Sequence, residues 1–105
     1  MNFNDYKEII QKRAEINSEC YTEIEKIWDK MILLFSNNIE KTILFIKTDC
    51  TADEFAWLSE IFEEIAERTK SREFVDCLYE TAKKFPKETE QYNIISFIDD
   101  AADML

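Results

Sequence analysis

The chain has 105 residues, with 46% hydrophobic and 34% charged, a formal net charge of −10, no His, no Gly and a single Pro, Pro86. Without His it lacks the commonest general base, the usual Ser-His and Cys-His nucleophile pairs, and most zinc and di-iron ligand sets. Without Gly it cannot build a P-loop or an EF-hand loop in the usual form, nor the tight turns of β-hairpins, so the expectation is one all-α domain over residues 1–105.

Residues 4–36 read as one long helix, or as two joined near Asn17-Ser18. Ile10, Ala14, Asn17, Tyr21, Ile24, Trp28, Met31 and Phe35 recur in alternating steps of four and three, a heptad-like seam. Ile9, Ile16, Cys20, Ile27 and Leu34 widen the seam into a core-facing stripe. Asn17 interrupts it and marks a bend or a local hydrogen bond. Ser36-Asn37-Asn38 is a turn, with Asn38 as N-cap of the next segment. Residues Ile39–Lys47 contain TILFI, which has the composition of a strand. Ile39, Ile43 and Ile46 fit a helix, and a lone strand would find no partner, so a short helix is expected.

Thr51-Ala52-Asp53-Glu54 is a capping box, with Cys50 and Phe55 placed as a hydrophobic staple, and it opens a helix that should run to about Thr69. Ser71 caps another helix with Phe74, Val75, Leu78, Ala82 and Phe85 inward, which Pro86 stops. After a polar link, Asn93 caps a last helix with Ile94, Ile98, Ala101 and Leu105 inward. The sum is a compact bundle of about five helices with a long N-terminal helix and consecutive antiparallel helical hairpins. Cys20, Cys50 and Cys77 form no C-x-x-C, and MNFNDYKEII is too polar for a secretory signal. Reduced, buried thiols in a cytoplasmic protein are therefore expected. The longest apolar run, Met31–Phe35, is too short to span a membrane.

The charge is unevenly placed. Residues 1–48 hold eight acids and seven bases, whereas residues 49–105 hold fifteen acids and six bases. Such a field disfavours nucleic acid and anionic membranes and favours a basic protein. On a helical wheel at about 100° per residue, Phe55, Leu58, Ile61, Phe62 and Ile65 face the core. Asp53, Glu60, Glu63, Glu64 and Glu67 fill the other side, and Trp57 lies at the boundary. Glu60/Glu64 and Glu63/Glu67 are like-charge pairs four apart, each costing a helix roughly 0.2–0.5 kcal/mol. Asp99, Asp100 and Asp103 repeat the pattern at the C-terminal end. A charge run is ordinarily a solvated face, yet two helices in the same half of the chain bear this cost. The expected partner-binding set is therefore Asp53, Trp57, Glu60, Glu63, Glu64, Glu67, Asp99, Asp100 and Asp103. Trp57 doubles as a core residue, and Trp28 is assigned to the core. Glu60 and Glu64 are expected to be exposed.

Carboxylates alone could act as acid and base, but on helical surfaces they are ordinarily solvated, so no catalytic residue, cofactor or metal is assigned. Acyl carrier proteins share the size and charge. Their serine follows an Asp, which none of Ser18, Ser36, Ser59, Ser71 and Ser96 does. The run CTADEFAWLSEIFEEIAERTKSREFVDCL, followed by KKFP and an acidic tail helix, resembles the small acidic helical immunity proteins of bacterial contact-dependent inhibition and other polymorphic toxin systems. The resemblance covers residues 49–105. It implies a cytoplasmic, non-enzymatic protein that binds and blocks one delivered toxin domain, often a basic nuclease, and it carries over no site residues. The alternative is an oligomeric helical scaffold or adaptor, such as a homodimer, that self-associates through the 4–36 seam.

Overall fold

The computed structural model describes residues 2–105. Helix dominates these residues, and no strand occurs among them. In chain order the elements are α1 (Asn4–Glu15), α2 (Tyr21–Asn37), α3 (Ile39–Thr48), α4 (Ala52–Leu58), a 3₁₀ turn (Ser59–Ile61), α5 (Phe62–Thr69), α6 (Arg72–Lys84), α7 (Pro86–Gln91) and α8 (Ile94–Asp103). The helices are shorter and more numerous than the five expected. The most extensive pairing is also not between chain neighbours: α5 packs on α8, and α3 packs on α6 as closely as α1 does on α2.

The single N-terminal helix does not form. Ile16 is extended, and the Asn17 side chain accepts from the Glu19 amide at 2.9 Å, a local turn that competes with helix. The chain turns there and α1 packs against α2. The apparent seam therefore comes from two helices. Ile10, Ile24, Met31 and Phe35 are buried, while Asn17 and Tyr21 are exposed. TILFI is helical, as the Ile spacing requires, and the Asn38 side chain caps α3 through the Lys41 amide.

The capping box forms with both of its hydrogen bonds, Thr51 N to Glu54 Oε1 at 2.9 Å and Glu54 N to Thr51 Oγ1 at 3.1 Å. The helix it opens then breaks. At Ser59–Ile61 the backbone tightens into a 3₁₀ turn, and the Ser59 hydroxyl donates to the Ala56 carbonyl. Leu58, Ser59, Ile61 and Phe62 are all buried, because α2 and α8 cover this turn from different sides. A 3₁₀ turn advances about 120° per residue rather than 100°, yet Ile61, Phe62 and Ile65 keep the inward positions and Glu63, Glu64 and Glu67 the outward ones that the wheel gives, and only Glu60 departs from it. Ser71 caps α6 as expected, accepting from the Phe74 amide. Pro86 both ends α6 and occupies the first turn of α7, where its missing N–H costs nothing. Asn93 is not a side-chain cap. Its backbone is left-handed (φ 52°), which Asn tolerates better than most residues, and its carbonyl accepts from Ser96. Leu105 is exposed rather than inward, and of the cysteines only Cys77 is buried, with Cys50 half-buried and Cys20 exposed.

Aromatic rings dominate the core. Tyr6 packs on Phe35 with centroids 4.4 Å apart, and Phe55 packs on Phe62 at 5.3 Å. The one polar pair deep in this region is satisfied. Thr42 donates to the Phe35 carbonyl at 2.6 Å, leaving its oxygen to accept from the Tyr6 hydroxyl at 3.1 Å. Thr42→Val keeps the shape but strands the Tyr6 hydroxyl. It should lower stability by about 1–3 kcal/mol, and adding Tyr6→Phe should recover part of that loss. Urea denaturation of the single and double variants measures both. A double variant less stable than either single one would refute the assignment.

Candidate protein-binding surface

Of the acidic side chains that the wheel places outward, Glu60 is the one that departs. Glu60 does not face solvent. Its carboxylate accepts from Arg13 twice, Nε to Oε1 at 2.7 Å and Nη2 to Oε2 at 2.8 Å. It also accepts from the Trp28 indole N–H at 3.0 Å. Arg13 stands on the inward face of α1, one turn after Ile10, and is only 5% exposed. Its guanidinium lies 4.7 Å from the centroid of the Trp57 ring. The expectation of an exposed Glu60 is thus corrected: the carboxylate is neutralised and joins α1, α2 and the 3₁₀ turn. Trp28 is more than core, since its N–H is one of the donors. Trp57 is half-buried and packed on the core, and it shares the guanidinium.

The other expected residues stay at the surface. Asp53, Glu63, Glu64, Glu67, Asp99, Asp100 and Asp103 are all exposed, and none makes an ion pair among the described residues. They do not form the single face drawn by the wheel. Asp53 borders a groove of about 480 Å³ between α4 and α8, with Trp57, Tyr92 and Phe97. Glu64 and Glu67 line a second groove of about 340 Å³, against Asp29 and Leu33 of α2. Asp99, Asp100 and Asp103 lie on α8, the helix packed along α5. Asp99 accepts from the Tyr79 hydroxyl at 2.5 Å. That hydrogen bond, more than burial or the nearby carboxylates, pushes the Tyr79 phenol up to about 12. Asp103 sits at the end of a helix where the dipole disfavours an anion. The Lys70 ammonium meets the same end by donating to the Met104 carbonyl at 2.7 Å.

No local pattern singles out Tyr92 and Phe97. Tyr92 follows α7 and Phe97 lies between inward positions of α8, so only the packing of α8 brings them to Trp57. Arg13 had a readable signal, because it continues the inward spacing of Tyr6 and Ile10. Among the described residues no group of His, Cys, Asp and Glu could hold a metal ion, and no helix is long and apolar enough to cross a membrane. Comparisons with family models, with curated proteins and with solved structures give no match. The functional argument therefore stands on the surface itself.

Two measurements follow from this geometry. Arg13→Met leaves a largely covered carboxylate unpaired and should cost roughly 3 kcal/mol. Glu60→Gln keeps one acceptor oxygen, sets an amide N–H₂ against a donor of Arg13 and leaves the buried guanidinium without a counter-charge, so it too should cost roughly 3 kcal/mol, while Glu63→Lys should stay within about 0.5 kcal/mol. Thermal melts that gave all three the same loss would refute the role of the pair.

Glu64 behaves differently. Partial burial raises its pKa above the ordinary carboxylate value, with Glu63 and Glu67 adding to the shift against a backbone hydrogen bond that lowers it. A raised folded-state value means that the unfolded chain gives up this proton first. The resulting penalty is absent below the unfolded value, grows as pH rises between the two values, and is complete above the folded one. Glu64→Gln should therefore melt higher than the parent at neutral pH, with the difference vanishing in acid. A lower melting temperature at neutral pH would contradict it.

Proposed function

We propose that this protein is an immunity protein that binds a basic toxin domain, a nuclease, and neutralises it in the cytoplasm by electrostatic docking. The observation that carries this reading is the pairing pattern of the charges. Two cations of the first half reach across the fold to the second, Lys7 to Glu54 at 2.9 Å and to Asp49 at 3.7 Å, and Arg13 to Glu60, whereas Lys12, Lys26 and Lys41 pair with acids of their own half. The carboxylates left over, on the adjacent helices α5 and α8, are exposed and without an ion pair among the described residues. A nuclease groove is cationic because it holds phosphate. A surface of this kind competes for that groove, and its field speeds the encounter. The same field disfavours nucleic acid and anionic membrane as partners. No catalytic role is assigned to the chain.

The scaffold reading loses its motive. The seam that would self-associate has Ile10, Ile24, Met31 and Phe35 inside the protein's own core. The chain alone should therefore run as a monomer in sedimentation, where a stable dimer would favour the scaffold.

The reading requires a basic toxin domain in an adjacent reading frame, and the binding test uses that domain. Its association rate should fall steeply between roughly 0.01 M and 0.1 M salt, as the Debye length shrinks from about 30 Å to about 10 Å. The double substitution Glu63→Lys plus Glu67→Lys touches no core contact, and it should lower affinity about a hundred-fold or more and abolish protection of cells. A salt-independent on-rate, or full protection by the folded double variant, would remove this docking surface.

A further inference from the structure

The groove between α4 and α8 differs in kind from the rest of the acidic surface. Tyr92 is 50% exposed and Phe97 is 40% exposed, large apolar areas to leave in water beside the half-buried Trp57. Asp53 stands at the same groove with no ion pair among the described residues. Glu60 lines the groove as well, but its carboxylate is already engaged: it accepts two hydrogen bonds from the Arg13 guanidinium, which lies against Trp57. The molecule therefore already contains the combination of an indole ring, a carboxylate and a guanidinium, built from its own residues on one side of Trp57. In the groove it offers the rings and the carboxylate again without a cation.

We infer that this groove receives an arginine side chain of the basic protein partner and is the anchor point of the interface. This rests on the reading above and adds a residue-level contact to it. Arginine suits the groove better than lysine. Its planar guanidinium stacks on aromatic faces while forking to a carboxylate, whereas an ammonium is a compact, strongly hydrated charge. Partly desolvated aromatic pockets beside a charge are where binding energy concentrates in interfaces, and a buried anchor is less sensitive to salt than exposed carboxylates. The exposed acids of α5 and α8 steer the partner in, and the groove holds it.

The experiment has two arms. In the first, N-acetyl-arginine amide is titrated into the purified chain at millimolar concentration and followed by NMR. The Trp57 indole, Tyr92 and Phe97 signals should shift saturably. N-acetyl-citrulline amide, the neutral isostere, should leave them unmoved. Tyr92→Ala plus Asp53→Asn should weaken the arginine effect about ten-fold without changing the melting temperature by more than a few degrees. Shifts confined to α5 and to Asp99, Asp100 and Asp103, or equal shifts with citrulline, would overturn the inference. In the second arm, Tyr92→Ala plus Phe97→Ala is tested against the toxin domain. It should lower affinity about ten-fold at low and at high salt alike, chiefly through faster dissociation. Unchanged affinity would overturn the groove as an anchor even if Glu63→Lys plus Glu67→Lys still abolished binding. That pattern would leave the electrostatic reading standing without the groove.

Discussion

Arg13 and Glu60 face each other from opposite halves of the chain, 47 positions apart, and much of the structure is arranged around their meeting. A buried ion pair adds little net stability, because desolvating two charges offsets most of their attraction. What it does is exclude alternatives. A guanidinium that is 5% exposed must have its fork answered, and Glu60 answers it only if the helix begun at Thr51 tightens at Ser59. The Trp28 indole then supplies another donor to the carboxylate, so α2 is fixed in the same act. Trp57 is set against the guanidinium, which holds its ring at the wall of the groove shared with Tyr92 and Phe97. One charge pair thus positions three elements and a surface aromatic.

The pair also settles how the charge of the chain is distributed. Residues 1–48 are nearly neutral, yet two of their cations are used on acids of the other half. The acids so engaged lie outside α5 and α8, which keep the negative surface of their own residues, three carboxylates against Arg68 on α5 and three carboxylates with no base on α8. Only small local devices relieve it, such as the Lys70 ammonium on the carbonyl at the end of α8 and the Tyr79 hydroxyl on Asp99. Glu64, with a pKa raised by burial and by its acidic neighbours, records the strain that remains. A protein under selection for stability alone would answer such a field with bases. A surface that meets a cationic partner is relieved by the partner instead.

Composition and short-range spacing were enough for the helical class, for the capping box at Thr51, for the caps at Asn38 and Ser71, and for the buried positions Phe55, Leu58, Ile65, Phe74 and Leu78. They also showed that the second half is the acidic one. These features depend on hydrogen bonds and periodicities that close within three or four residues, so the local sequence contains both partners. The bend at Asn17, already an alternative in the spacing, rests on a local hydrogen bond from Glu19, and Asn93 adopts a left-handed backbone instead of capping. The tertiary structure alone decided that Glu60 turns inward while Glu63, Glu64 and Glu67 do not, and it alone brought Tyr92 and Phe97 to Trp57. In these last two cases the deciding partners lie on other helices. The wheel failed at Glu60 alone, because the donors that draw its carboxylate inward, Arg13 on α1 and Trp28 on α2, lie 47 and 32 positions away, beyond any pattern a local periodicity can reveal.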